Sequence, residues 1–96
     1  MLKSNDLKID HINAQSLLAN MDEICLLINE RKPDILCVSE TWLTSDILDQ
    51  HIAIPNFNVY RYDKGRGGGV CIYVTDNLNV TPFNVNIERV DGVEDL

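Results

Sequence analysis

The sequence has few basic residues. Eight lysines and arginines stand against fifteen aspartates and glutamates, and the formal net charge is -7. Such a charge keeps a chain soluble but offers no electrostatic footprint for the phosphates of a nucleic acid. The shortage of basic residues therefore argues against a stand-alone DNA-binding module.

Cysteines are also few, and none of them is arranged as a pair. The three are Cys25, Cys37 and Cys71, at wide spacings and without a CxxC motif. An odd number at such spacings indicates neither a disulfide framework nor a zinc site. Each cysteine lies within an apolar pattern, which predicts buried, reduced thiols.

Long apolar segments are absent from the sequence. No run reaches the roughly 18 residues of a membrane span, and the amino terminus lacks an apolar core of signal-peptide length. We therefore expect no membrane partner and an intracellular location, in the nucleus or the cytoplasm. The 96 residues suffice for one small domain. Nothing in the sequence indicates an oligomeric state.

The clearest strand pattern is the apolar run at residues 35–38, which continues through Ser39 to Glu40 without a turn residue. A run with no polar face is typical of a strand buried on both sides of a sheet. A carboxylate where such a strand ends is costly to bury without a partner, and ligand sites collect at strand ends. Glu40 is therefore the first candidate binding residue, and a metal ion is its natural ligand.

Alternating apolar residues predict three more strands, at residues 7–13, 57–62 and 70–74. The glycine-rich segment 63–69 joins the last two as a hairpin connection with positive φ angles. A phosphate loop is disfavoured there, because the segment precedes a strand and lacks the GxxxxGK[ST] pattern. Arg66 is then a solvated turn residue, although it could reach a phosphate. Residues 80–90 predict the beginning of another strand.

Residues 20–31 show helical periodicity, with an apolar face that contains Met21, Ile24, Cys25 and Ile28. Asn20 is the expected N-cap with Glu23 in a variant capping box, and Pro33 ends the helix. A helix between two strands favours a right-handed βαβ unit with parallel strands. Antiparallel strands stay open as an alternative. Residues 43–56 predict a loop with one helical turn.

Asn13 ends the first predicted strand, and Glu40 directly follows the second. If the two strands are neighbours in one sheet, these side chains would meet at the same rim. Hard cations such as Mg2+ take oxygen ligands, often only one or two of them from protein. From spacing alone a plainer interpretation also stays open, in which Asn13 forms a turn and Glu40 caps one. His11 and Trp42 are expected to be structural, with Trp42 packed over the sheet edge.

Four segments stand in order along the chain, namely LKIDHINAQSL, KPDILCVSETWL, IPNFNVYRYD and GRGGGVCIYV. Together they resemble the amino-terminal part of the endonuclease/exonuclease/phosphatase superfamily, in particular the apurinic-endonuclease-like domain of non-LTR retrotransposons. The resemblance covers nearly the whole chain. It implies an α/β (α+β) fold, namely part of a four-layer α/β sandwich with a mixed, mostly antiparallel sheet and one main helix. Residues 1–96 would be an incomplete, amino-terminal part of that domain.

The resemblance also implies a function. Such domains hydrolyse a DNA phosphodiester with Mg2+, for which Mn2+ is a possible substitute, and so nick one strand. Glu40 would be a catalytic residue and a direct metal ligand, and Asn13 would orient the phosphate or the metal shell. The metal would stabilise charge on the cleaved phosphodiester and its leaving oxygen.

Later motifs of the superfamily are absent from the chain, namely a tyrosine in an NxYxP-like strand, a GDxN motif and a terminal Asp-His pair. We therefore expect a truncated domain that is inactive alone. Asp10 also replaces a small or apolar residue, which is expected to strain the first strand. Two alternatives stay open: a non-catalytic remnant or interaction fragment, and a phosphoesterase of the same superfamily acting on inositol phosphate or lipid.

Overall fold

A computed structural model describes residues 7–78 and 94–95 of the chain. Its elements, in chain order, are β1 (Ile9–Asn13), α1 (Met21–Arg31), β2 (Ile35–Ser39), β3 (Phe57–Tyr62), β4 (Val70–Thr75) and β5 (Glu94–Asp95). Short 3₁₀ helices cover Leu18–Asn20 and Asp49–Ile52. The second of these is the helical turn predicted within the loop. The strand predicted at residues 80–90 lies outside the described residues.

The strands form one mixed sheet in the order β3-β4-β2-β1-β5. β2 lies at its centre, parallel to β1 and antiparallel to β4, and β3 completes the predicted hairpin with β4. The predicted α/β class, with a mixed sheet and one main helix, is confirmed. The parallel form of the βαβ unit is also confirmed, so the antiparallel alternative is wrong. Because β1 and β2 are parallel, both strands end at the same rim of the sheet.

One face of the sheet carries the hydrophobic core. The buried side chains come from alternate strand positions, from α1 and from the loops, and they include Ile12, Leu36, Val38, Tyr73, Ile24, Leu17, Leu43 and Ile52. Each large apolar side chain buried in this way contributes about 1.5–3 kcal/mol. The Tyr73 hydroxyl donates a 2.8 Å hydrogen bond to the Ile52 carbonyl, which ties the second 3₁₀ helix to the sheet. Burial raises the pKa of Tyr73 above its usual range.

The other face of the sheet is open within the described residues. Ile9, Tyr60 and Tyr62 lie on it and are 49%, 43% and 65% exposed. The four-layer sandwich implied by the resemblance requires a second sheet, and residues 7–78 and 94–95 supply only one. No helix in this part of the chain is both long and apolar enough to cross a bilayer.

The entry into α1 differs from the predicted capping box. Asn20 occupies the N-cap position, but its side chain makes no capping hydrogen bond. The chain enters α1 directly from the 3₁₀ helix, and the Asn20 amide instead donates to the carbonyls of Ala14 and Ser16, at 2.8 and 3.0 Å. Asn20 therefore stabilises the loop that follows β1. At the other end, Lys32 adopts the left-handed C-cap conformation immediately before Pro33.

Asp10 lies in regular register opposite Leu36, on the face of the sheet that carries the core. Its Oδ2 atom is buried and has no hydrogen-bond partner in the described residues. The backbone φ angle of Asp10 is not positive, so its conformation is that of an ordinary strand residue. The cost of an acidic residue at this position is therefore desolvation of a carboxylate oxygen rather than a distorted strand.

The prediction that all three cysteines are buried is wrong for Cys25, which is exposed, and only partly right for the half-buried Cys37. α1 is rotated so that Ile24 faces the sheet, with Met21, Leu27 and Ile28 packed around it, and this turns Cys25 outward. Cys71 is buried in the core as predicted. Burial raises the pKa of Cys71 to about 12 and also raises the pKa of Cys37.

These environments predict three distinct rates of thiol modification. Because the thiolate is the reactive form, burial and a raised pKa make Cys71 the least reactive thiol, whereas Cys25 is exposed to the reagent. In an assay with a chromogenic disulfide, we expect one fast, one slow and one protected thiol. Cys25→Ser should remove only the fast phase. Two fast thiols in the folded chain would contradict the structure.

Candidate active site

The parallel pairing of β1 with β2 brings two polar side chains together at one rim of the sheet. Asn13 is the last residue of β1 and is in register with Ser39, so Glu40 lies one residue beyond it. The Asn13 Nδ2 group donates a 2.7 Å hydrogen bond to Glu40 Oε2 in a partly buried position. The structure thus places the two residues singled out from the sequence in direct contact.

The loops that leave these two strands have unusual backbone conformations. Four non-glycine residues next to the strand ends have positive φ values, and they are Gln15, Ser16, Glu40 and Trp42. For an L-residue this left-handed region costs about 1–2 kcal/mol. The loops hold each other in place, because the Ser16 amide donates to the Glu40 carbonyl at 3.0 Å and the Leu17 amide to the Thr41 carbonyl at 2.9 Å.

The glycine-rich hairpin connection supports the segment after Glu40 from the other side. The Thr41 amide donates to the Gly69 carbonyl at 3.2 Å, and the Trp42 amide donates to the Gly68 carbonyl at 2.9 Å. Gly69 has a φ of +91°, and a Cβ atom there would lie 2.6 Å from Thr41 Oγ1. Gly69 thus permits a close approach as well as a turn. Sequence reasoning had explained these glycines by the turn alone.

The pair offers oxygen atoms of the kind that a hard divalent cation takes. Asn13 Oδ1 is buried and lacks a hydrogen-bond partner in the described residues, since the amide group uses Nδ2 to reach Glu40. Together with the carboxylate of Glu40 it forms an all-oxygen donor set that fits Mg2+ or Mn2+. Residues 7–78 and 94–95 contain no cluster of three or more histidine, cysteine or acidic side chains. Within this part of the chain, Asn13 and Glu40 are the candidate metal ligands.

The two histidines have different surroundings. His51 Nδ1 accepts a 2.9 Å hydrogen bond from the Leu48 amide at the start of the second 3₁₀ helix, which is a structural role. His11 is half-buried on β1, two positions before Asn13 and opposite Cys37. It lies on the same open face of the sheet as Asn13, and its side chain makes no hydrogen bond within the described residues.

Trp42 and Arg66 form a contact that the sequence did not predict. The Arg66 guanidinium lies 5.6 Å from the centroid of the Trp42 ring, at a cation–π distance. A stacking pair 24 positions apart leaves no local pattern in a sequence. Arg61, on the preceding strand, is instead ion-paired with Asp49 and Asp63, at 3.0 and 2.7 Å. These pairs raise the pKa of Arg61 above its usual range, and the pair with Asp49 links β3 to the loop before it.

Comparison with known families identifies the class of protein. Residues 9–94 match the family model described as the Endonuclease/Exonuclease/phosphatase family. The chain therefore belongs to that family, and the resemblance found in its sequence is confirmed. No curated protein matches it significantly at the level of sequence.

Solved structures of the same fold include two AP endonucleases and a 3′ phosphatase. An AP endonuclease from Archaeoglobus fulgidus is 30% identical, with a TM-score of 0.61, and the match covers 72% of this chain and 27% of that one. Two further solved structures have lower sequence identity, and their similarity to this chain concerns the fold alone. The 3′ phosphatase NExo from Neisseria, bound to a product DNA hairpin, is 23% identical with a TM-score of 0.61, over 72% of this chain and 27% of that one. AP endonuclease LMAP from Leishmania major is 22% identical with a TM-score of 0.61, and the match covers 74% of this chain and 24% of that one. The chain thus spans about a quarter of these proteins.

The close approach at Gly69 predicts a specific loss of stability. Gly69→Ala adds a methyl group 2.6 Å from Thr41 Oγ1 at a positive φ, whereas Gly67→Ala meets a φ of +80° with nothing within 4 Å. We expect Gly67→Ala to lower the free energy of unfolding by about 1 kcal/mol and Gly69→Ala by about 2–3 kcal/mol. Urea unfolding of both variants measures the difference. Equal losses would show that only the φ angle matters.

Proposed function

We propose that this chain carries part of the divalent-metal site of an endonuclease that hydrolyses DNA phosphodiesters. The observation that supports the proposal is the 2.7 Å hydrogen bond between Asn13 and Glu40, beside an unpartnered Asn13 Oδ1. Glu40 is the proposed direct ligand of Mg2+, with Mn2+ as a substitute. The bound ion would act as a Lewis acid that stabilises charge on the phosphate and the leaving oxygen.

Asn13 and Glu40 have complementary roles in this proposal. By donating from Nδ2 to Oε2, Asn13 fixes the orientation of the carboxylate and leaves the other carboxylate oxygen for a ligand. The same hydrogen bond uses Nδ2 and leaves Asn13 Oδ1 without a partner in the described residues, so Oδ1 could accept a hydrogen bond from a metal-bound water or bind the cation itself. Rigid neighbouring loops hold both groups before the substrate arrives, which is how positioning contributes to catalysis.

DNA is the proposed substrate class. The support comes from the AP endonuclease from Archaeoglobus fulgidus, which shares 30% identity over 72% of this chain. The combination of SETWL with RGGGV further favours an endonuclease of the non-LTR retrotransposon type. The tyrosine, GDxN and Asp-His motifs are absent from residues 1–96, so the proposal includes no general base and no cleavage by these residues alone.

Metal binding by the 96-residue chain tests the site directly. We expect Glu40→Gln to raise the dissociation constant for Mn2+ about tenfold or more, because the amide keeps the shape of the carboxylate but loses its charge. Electron paramagnetic resonance of free Mn2+ measures the binding. The matched control is Glu23→Gln, an exposed residue on α1. Equal binding by the two variants would remove Glu40 from the metal site.

Activity is tested in a longer protein that joins this segment to the later motifs of the family. There we expect Glu40→Gln to slow Mg2+-dependent nicking of supercoiled DNA by about 10²–10³-fold, the scale of losing one electrostatic contact to the reacting centre. Glu23→Gln again serves as the control. Nicking at the unaltered rate by Glu40→Gln would exclude a catalytic role for this residue.

A further inference from the structure

The glycine-rich connection carries two exposed cations, Lys64 and Arg66, that have no acidic partner in the described residues. Arg61, on the adjoining strand, is by contrast neutralised by Asp49 and Asp63 at 3.0 and 2.7 Å. In a chain with a net charge of -7, these two basic groups lie two positions apart on one loop. The loop is therefore a candidate contact for an anion.

Backbone hydrogen bonds fix this loop beside the candidate active site. Gly68 accepts from the Trp42 amide at 2.9 Å, and Gly69 accepts from the Thr41 amide at 3.2 Å. Thr41 and Trp42 directly follow Glu40 in the chain. Arg66 therefore belongs to a segment that is hydrogen-bonded to the backbone next to the proposed metal ligand.

Trp42 orients the Arg66 side chain. The guanidinium lies over the indole ring with 5.6 Å between its carbon and the ring centroid. At an exposed position this interaction is strong enough to favour one arrangement of a flexible side chain. No hydrogen bond of the described residues uses the N–H groups of this guanidinium, and those groups match the oxygens of a phosphate.

We propose that Arg66, positioned by Trp42, binds a backbone phosphate of the DNA strand that passes the Asn13–Glu40 pair. The inference rests on the proposed function for its substrate class, but it concerns a different group of residues. Lys64 adds a second positive charge on the same loop. A local basic loop explains how a chain of acidic composition can hold a polyanion at this rim.

DNA binding in EDTA tests the proposal without the metal. Fluorescence anisotropy of a labelled duplex is measured at several low salt concentrations, with Arg66→Gln compared to Lys32→Gln, which removes one charge at the opposite end of β2. We expect Arg66→Gln to raise the dissociation constant about fivefold and to reduce the salt slope by about 0.9, the value for one lost phosphate contact. Lys32→Gln should stay within about twofold of the unaltered chain.

Two further measurements separate stacking from charge. Trp42 is the single tryptophan of the chain, so its emission reports on the ring beneath Arg66. We expect DNA to change this emission in the unaltered chain and not in Arg66→Gln. Trp42→Leu should weaken DNA binding about twofold, whereas Trp42→Phe, which keeps an aromatic face, should restore most of it.

Three outcomes would overturn the inference. They are undetectable DNA binding by the unaltered chain, equal dissociation constants and salt slopes for Arg66→Gln and Lys32→Gln, and an emission change with inorganic phosphate but not with DNA. Because the titrations contain EDTA, Glu40→Gln should bind DNA at least as well as the unaltered chain. Failure of the metal site therefore remains distinguishable from failure of the Arg66 contact.

Discussion

The parallel pairing of β1 with β2 is the constraint on which the candidate site depends. Parallel strands end at the same rim, so Asn13, which ends β1, and Glu40, which follows β2, become neighbours through the strand pairing itself. In an antiparallel arrangement the same two residues would lie at opposite ends of the sheet. The α1 crossover that makes the pairing parallel also covers the core face, so one element serves both packing and the site.

Hydrogen bonds hold the rim in conformations that the local sequence does not favour. Glu40 and Trp42 have φ values of +51° and +59°, and their loop is bonded on one side to the loop after β1 and on the other to Gly68 and Gly69. A strained segment with supports on both sides has little freedom to move. For a pair whose role depends on the direction of two oxygens, that rigidity matters more than the energy of any one hydrogen bond.

Features with a local origin could be predicted from the sequence. The strand that ends before Glu40 and the hairpin around the glycines follow from apolar periodicity and turn residues. The meeting of Asn13 with Glu40 also required parallel strands, which the βαβ pattern favoured without excluding antiparallel ones. The exposure of Cys25 could not, because a small rotation of α1 decides whether that position or Ile24 faces the sheet. The cap at Asn20 failed because a 3₁₀ helix leads into α1 and redirects its amide. The Arg66–Trp42 contact depends on the tertiary fold alone.

The positions of the charges at the rim matter more for DNA binding than the net charge of the chain. A net charge of -7 argues against nucleic acid only if binding depends on the average field of the chain. Two like charges 4 Å apart repel by about 1 kcal/mol in water and by more where water is excluded. Positive charge at the rim would offset this repulsion when a phosphate approaches Glu40. A divalent ion on Glu40 and the guanidinium of Arg66 would provide positive charge at that edge, so local arrangement can reverse what composition suggests.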